Sequence, residues 1–140
     1  MKTVLLVEDE ETDALIFRYT CKKAGVTFSL QTVRDGCYAI DYLSGAGIYA
    51  DRTAYPIPSL IILDLNMPAM SGFDVIKWIR TSSEHKDLYI VVFSSSYFEK
   101  DIKLAYDLGA NSYVTKPCNS KELLGIVSMF ERFWLHPSRN

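Results

Sequence analysis

Apolar residues along this chain follow two alternating rhythms: short unbroken runs, and stretches where they return every three or four positions. The first run is Thr3–Val7. Ala14, Phe17, Cys21 and Ala24 then share one stripe at helical spacing, which predicts a helix over Glu11–Ala24. Gly25 follows where a left-handed cap would close that helix. Residues 28–33 read as a second strand, Asp35-Gly36 as a turn, and residues 37–43 as a second helix. Leu60–Leu63 is continuously apolar, the mark of a strand covered on both faces. Residues 73–80 predict a third helix with Val75, Ile76 and Ile79 inward, and residues 89–93 a fourth strand. Phe98, Ile102 and Ala105 mark a fourth helix stopped at Gly109. Ser112–Thr115 is the fifth strand, and residues 120–134 form the last helix, with Leu123, Val127, Phe130 and Trp134 on one side. The stretch 44–58, with Gly45, Gly47, Pro56 and Pro58 around Tyr49 and Tyr55, reads as an ordered loop longer than the usual connection.

Five repeats of strand then helix imply an α/β fold: a parallel sheet with helices on both faces, joined by right-handed crossovers. At 140 residues the chain is near the common size of one domain, so residues 1–140 are expected to form a single domain with no second one. Apolar residues at 49% and charged residues at 23% fit a soluble globular protein. A formal charge of −2, with Lys and Arg scattered, argues against direct nucleic-acid binding. The first apolar run is too short for a signal-peptide core or a membrane span, so a cytoplasmic location and no membrane partner are expected. Cys21, Cys37 and Cys118 are odd in number and contain no CxxC, which favours free thiols over a disulfide or zinc site. His85 and His136 have no ligand-like spacing, and both read as surface residues.

In open parallel sheets ligands bind beyond the carboxyl ends of the strands, where strand order reverses. Four of the five predicted strand ends carry suitable polar residues. Glu8, Asp9, Glu10 and Glu11 follow the first, Asp64 the third, Ser94-Ser95-Ser96 the fourth, and Lys116-Pro117 the fifth. Acids also favour the first turn of a helix, and a solvated rim explains Glu10 and Glu11. Glu8 and Asp9 are different once Asp64 joins them. Like charges that converge raise a pKa unless a cation is present, and Mg²⁺ suits a site of few carboxylates and several waters. Asp64 directly follows four apolar residues, where a carboxylate is costly unless something binds it. Lys116 would be an ordinary loop lysine by itself, and Ser94 an ordinary loop serine. Together with Asp64 they suit phosphoryl transfer, where catalysis is mostly positioning and charge stabilisation: Asp64 as in-line nucleophile, with Mg²⁺, Lys116 and Ser94 on the phosphoryl oxygens.

At this point the sequence resembles a response-regulator receiver domain of two-component signalling. The carriers are Val7-Glu8-Asp9-Glu10, Leu63-Asp64-Leu65-Asn66-Met67-Pro68 with Gly72 following, Ser94-Ser95, and Tyr113-Val114-Thr115-Lys116-Pro117. The resemblance implies a three-layer flavodoxin-like (βα)5 fold with strand order 2-1-3-4-5. Asp64 would take phosphate from a histidine kinase or phosphotransfer protein. Glu8, Asp9, Asp64 and the backbone carbonyl of Asn66 would hold Mg²⁺. Ser94 would be the switch hydroxyl, Tyr113 the coupled aromatic whose burial changes as Ser94 moves, and Lys116 a ligand of a phosphoryl oxygen. The Lys116–Pro117 bond would be cis. Such a protein is not an enzyme acting on a separate substrate; it catalyses its own phosphotransfer and dephosphorylation. With no output domain expected, the message would pass to a separate, unidentified protein.

More narrowly, the long 44–58 segment and the ending Phe130-Glu131-Arg132-Phe133-Trp134-Leu135 are similar to the single-domain, phytochrome-associated response regulators. Phe130, Phe133 and Trp134 exceed what one core stripe needs and are candidates for a homodimer contact. Ser94 and Ser95 stand where threonine and a smaller residue are commoner, and Asn66 and Ser96 lie where side chains tend to set dephosphorylation rate. The competing readings are weaker. A flavodoxin would bind phosphate after the first strand, where four acids repel it. A haloacid-dehalogenase-type phosphatase would carry its aspartate there too, with a second acid two residues on. A degenerate receiver, acting only as a protein-binding module, would have lost Asp64 or Lys116.

Overall fold

The computed structural model describes residues 2–134, and the side chains of residues 2–132. Ten main elements alternate in chain order. They are β1 (Thr3–Val7), α1 (Glu11–Ala24), β2 (Ser29–Val33), α2 (Gly36–Ser44), β3 (Leu60–Leu63), α3 (Gly72–Thr81), β4 (Tyr89–Ser94), α4 (Glu99–Leu108), β5 (Ser112–Thr115) and α5 (Ser120–Met129). The sheet is parallel throughout and ordered β2-β1-β3-β4-β5, as the resemblance implied.

Strand side chains alternate between faces, so each central strand feeds two cores. Leu5, Val7, Ile61, Leu63, Ile90 and Val92 pack under α2, α3 and α4 against Ala39, Leu43, Val75, Ile76, Ile79 and Ala105. Val4, Leu6, Leu60, Ile62, Val91 and Phe93 pack on the other face against Phe17, Cys21, Leu123, Val127 and Phe130 from α1 and the C-terminal helix. This two-sided burial explains why Leu60–Leu63 carries no polar residue: all four are fully buried. Gly25 and Gly45 close α1 and α2 at φ +66° and +72°, the left-handed region where a Cβ is disfavoured.

The 44–58 stretch is ordered, as its sequence implied, by contacts its sequence does not announce. A short 3₁₀ turn spans Gly47–Ala50. The rings of Tyr42, Tyr49 and Tyr55 meet at centroid distances of 5.0–6.0 Å. Arg52 donates to the carbonyls of Tyr42, Leu43 and Tyr55, so a side chain from the loop satisfies the open end of α2. His85 corrects an expectation. It is buried, not on the surface, with Nε2 2.7 Å from Leu43 O and its ring stacked on Trp78. Only packing of the α3–β4 connection against the end of α2 creates that site. His136 lies outside the described residues.

Two more expectations change. The last helix is α-helical only to Met129 and continues as a π-helical turn over Phe130–Trp134. Phe130 is fully buried between Phe17 and Phe93, with centroids at 5.9 and 6.2 Å, so it belongs to the core and cannot supply a dimer contact. The side chains of Phe133 and Trp134 lie outside the described residues.

Arg80 makes the densest polar tie in the fold, donating to Gly109 O, Lys86 O, Leu88 O and Asn111 Oδ1 at 2.7–2.9 Å. It joins α3 to the segment that leads into β4 and to the segment that leads into β5. Arg80→Ala is expected to lower stability by about 2–4 kcal/mol, because several carbonyls lose a charged donor at once. A denaturant titration against the unaltered chain checks this; a loss under about 0.5 kcal/mol, the scale of an ordinary surface substitution, would contradict it.

Candidate functional site

The chain leaves β1 for β2 on one side and returns to place β3 on the other, so the order reverses between β1 and β3. Register pairs Val7 with Leu63, which sets Glu8 beside Asp64 at the carboxyl edge. On the other flank Ser94 pairs with Thr115, and Lys116 N–H donates to Ser94 O at 2.8 Å. Thus the sheet's register, not sequence proximity, gathers the acids, the serine and the lysine.

Lys116 is the centre of the cluster. Its Nζ donates to Glu8 Oε1 at 2.6 Å, to Asp64 Oδ2 at 3.2 Å and to Asp13 Oδ2 at 3.2 Å. Burial by itself would lower the Lys116 pKa, but Glu8, Asp64 and Asp13 together outweigh it and hold the ammonium charged. Glu8 goes the other way. Its burial pushes the carboxyl up to about 7, the hydrogen bond and charge of Lys116 offset this only in part, and the charge of Asp64 adds to it. Asp64 is buried, with Oδ1 fixed by the Leu65 N–H at 2.7 Å.

Carboxylate oxygens of Glu8, Asp9 and Asp64 lie within 4.8 Å of one another. Asp9 Oδ1 is buried with no hydrogen-bond partner. One ammonium therefore faces four carboxylates, one of them with an unused buried acceptor. A hard divalent cation with oxygen ligands is the chemistry that fits. Asn66 is exposed just past Asp64, at the mouth of the same loop.

Ser94 is fully buried at the end of β4, and its Oγ accepts from Ser96 N–H at 3.2 Å. Tyr113 is half-buried, and its hydroxyl donates to Ser96 O at 2.8 Å. Burial raises the Tyr113 pKa, while hydrogen bonding to Ser96 and Ser94 works against the rise. Asp13 is the participant that the sequence did not assign to the cluster, whereas Ser96 was already singled out beside Asn66 as a position that tends to set dephosphorylation rate. Asp13 reads locally as an ordinary first-turn acid of α1, and only the approach of Lys116 gives it a second role.

The expected cis bond at Lys116–Pro117 is corrected: no described peptide bond is cis. The trans form of an X–Pro bond is favoured by roughly 0.5–1 kcal/mol. Here Lys116 reaches both Ser94 O and the carboxylates without departing from it.

The β3–α3 connection is tightly built. Met70 N–H donates to Pro68 O at 2.7 Å around Ala69, whose φ is +66°. That is a strained γ-turn for a residue with a Cβ. Gly72 then approaches the chain so closely that a Cβ would lie 2.3 Å from Asp64 O and 2.8 Å from Leu65 Cα. Both neighbours are backbone and cannot swing aside. Gly72→Ala is expected to cost about 3 kcal/mol and to displace Asp64. Equal unfolding midpoints for the two chains would refute the close approach.

Comparison with known proteins identifies the family and the fold. The family model described as the response regulator receiver domain matches residues 4–128. Response regulator Rcp1 of Synechocystis sp. is 36% identical over 134 residues, covering 96% of this chain and 89% of that protein. The Mn²⁺-bound form of Rcp1 superposes with a TM-score of 0.85 at 34% identity over 99% of this chain and 98% of that one. The phosphorylated cyanobacterial phytochrome response regulator RcpA gives 0.88 at 38% identity, over 99% and 96%. Response regulator RPA3017, in red light signalling of R. palustris, gives 0.91 at 34% identity, over 99% and 97%. The likeness to the phytochrome-associated regulators drawn from the 44–58 segment and the C-terminal aromatics thus holds across the whole fold.

Proposed function

The chain belongs to the response regulator receiver domain family, and from that premise we propose that it takes a phosphoryl group from a phosphohistidine onto Asp64, with Mg²⁺, and switches a protein-binding face. The observation that carries this reading is the shared hold of Lys116 Nζ on Asp64 and Glu8 beside the unpartnered Asp9 Oδ1. The donor is a histidine kinase or phosphotransfer protein. Exposed Leu15, Ile16 and Tyr19 on α1 supply apolar surface for it. Relatives named for phytochrome and red-light signalling make a kinase of that type the first donor to try. No described helix is long and apolar enough to cross a membrane, and we place the exchange in the cytoplasm.

Glu8, Asp9, Asp64 and the Asn66 carbonyl are the groups that would hold the metal. Bound there, Mg²⁺ supplies positive charge to the oxygens of the transferring phosphoryl group. Asp64, oriented by the Leu65 N–H, attacks phosphorus as the phosphorus–nitrogen bond to the donor histidine breaks. Lys116 is released from part of its hold on Asp64 and neutralises a phosphoryl oxygen. Ser94 turns its hydroxyl from Ser96 N–H toward another oxygen, and Tyr113, hinged on Ser96 O, shifts with it. This reshapes the face formed by α4, β5 and α5. The same residues catalyse later hydrolysis of the acyl phosphate, so the chain is a phosphoacceptor and not an enzyme with a separate substrate.

The test is intact mass after incubation with Mg²⁺ and acetyl phosphate. A gain of one phosphoryl group supports the reading. No gain, together with no Mg²⁺ binding, would favour a phosphorylation-independent binding module.

A further inference from the structure

Helix α4 begins without a side-chain cap from Phe98, the residue at its N-cap. The group that serves its first turn comes from Ser96, two residues earlier. Ser96 Oγ accepts from Phe98 N–H at 3.4 Å and donates to Asp101 Oδ2 at 2.7 Å. The same residue uses its backbone N–H on Ser94 Oγ and its carbonyl on the Tyr113 hydroxyl. One serine thus joins the hydroxyl at the end of β4, the aromatic ring of β5 and the opening turn of α4. It also anchors the stem of Tyr97 and Phe98, which stack on each other at 5.4 Å and are 73% and 63% exposed.

We infer that the Ser96–Asp101 hydrogen bond is a latch that holds the unphosphorylated arrangement of Ser94 and the first turn of α4. The inference rests on the receiver reading of the site. For Ser94 to donate to a phosphoryl oxygen, its Oγ must rotate off the Ser96 N–H. That leaves a partly buried donor without its partner unless the segment at Ser96 moves. The bond to Asp101 resists this movement, and it is the strongest of the set because its acceptor is a carboxylate. Ser96 and Asp101 are therefore positioning residues: they bias the two arrangements without touching the phosphoryl group. Because a ligand shifts a two-state element only against the energy that holds it, removing the latch lets phosphate or its analogue bind more tightly.

The experiment titrates beryllium fluoride into the Mg²⁺-loaded full chain and follows bound fluoride by ¹⁹F NMR. It compares the unaltered chain with Ser96→Ala, Asp101→Ala, the double variant and Ser96→Thr, with unfolding midpoints measured in parallel. Each single alanine variant is expected to bind the analogue roughly tenfold more tightly, the lower end of what a hydrogen bond to a charged group contributes. The double variant gains no more than either single one, and Ser96→Thr, which keeps the hydroxyl, binds like the unaltered chain. A plain helix cap would instead lower the unfolding midpoints of the alanine variants and leave their affinities unchanged; that result, or gains that simply multiply in the double variant, overturns the latch. Failure of the unaltered chain itself to bind beryllium fluoride overturns the receiver reading and the latch together.

Discussion

Asp64→Asn is expected to reduce phosphoryl uptake from acetyl phosphate to nothing measurable, while leaving the fold in place. The amide is not a nucleophile toward phosphorus, so the in-line step has no acceptor oxygen. The side-chain oxygen can still accept from the Leu65 N–H, and the backbone Asp64 N–H to Val7 O bond is unaffected. One negative charge leaves a pocket where Asp64 already raises the Glu8 pKa, so repulsion falls as the Lys116 contact is lost. These opposing changes keep the expected stability shift to about 1 kcal/mol or less. Intact mass reads the first effect and denaturant titration the second. Uptake at the unaltered level would mean that phosphate lands on another residue.

Chelation of Mg²⁺ is expected to slow uptake by on the order of 10²-fold or more, since a Lewis-acid cation contributes several kcal/mol and each 1.36 kcal/mol is tenfold. Asp9 gives this prediction its residue. Its Oδ1 is buried and without a partner, so no group of the chain would be left unsatisfied by Asp9→Ala. That variant should therefore stay folded and demand far more Mg²⁺. A stability measurement provides a second readout. Mg²⁺ at about 100 times its dissociation constant should stabilise the unaltered chain by about 2.7 kcal/mol, and Asp9→Ala by little at the same concentration. Uptake and unfolding midpoints both indifferent to Mg²⁺ would rule out the metal assignment.

The elements were legible where one residue type decides a local question. Gly25 and Gly109 sit at the helix ends they were expected to close, with φ of +66° and +119°. Val75, Ile76 and Ile79 are all fully buried on α3, because a helical stripe must face the only apolar surface available. The second strand begins at Ser29, one residue later than its pattern implied, since Phe28 is buried in the core before strand pairing starts. The π-helical turn at Phe130–Trp134 was not legible, because Phe130 keeps helical spacing with Val127 in either geometry.

In the candidate site the sequence determined which chemistry is present: acids, a serine and a lysine, each at the carboxyl end of a strand that could be read directly. Which groups touch was decided only by the tertiary structure. Lys116 lies 108 positions from Glu8 and 52 from Asp64, yet one nitrogen binds both. The burial of His85, the arginine at position 80 that ties two loops, the second role of Asp13 and the Ser96 junction have the same origin. Periodicity and turn chemistry are properties of neighbours along the chain, so a sequence displays them. Hydrogen-bond partners and burial depend on strand register and on which helix covers which face, and those exist only once the sheet has assembled.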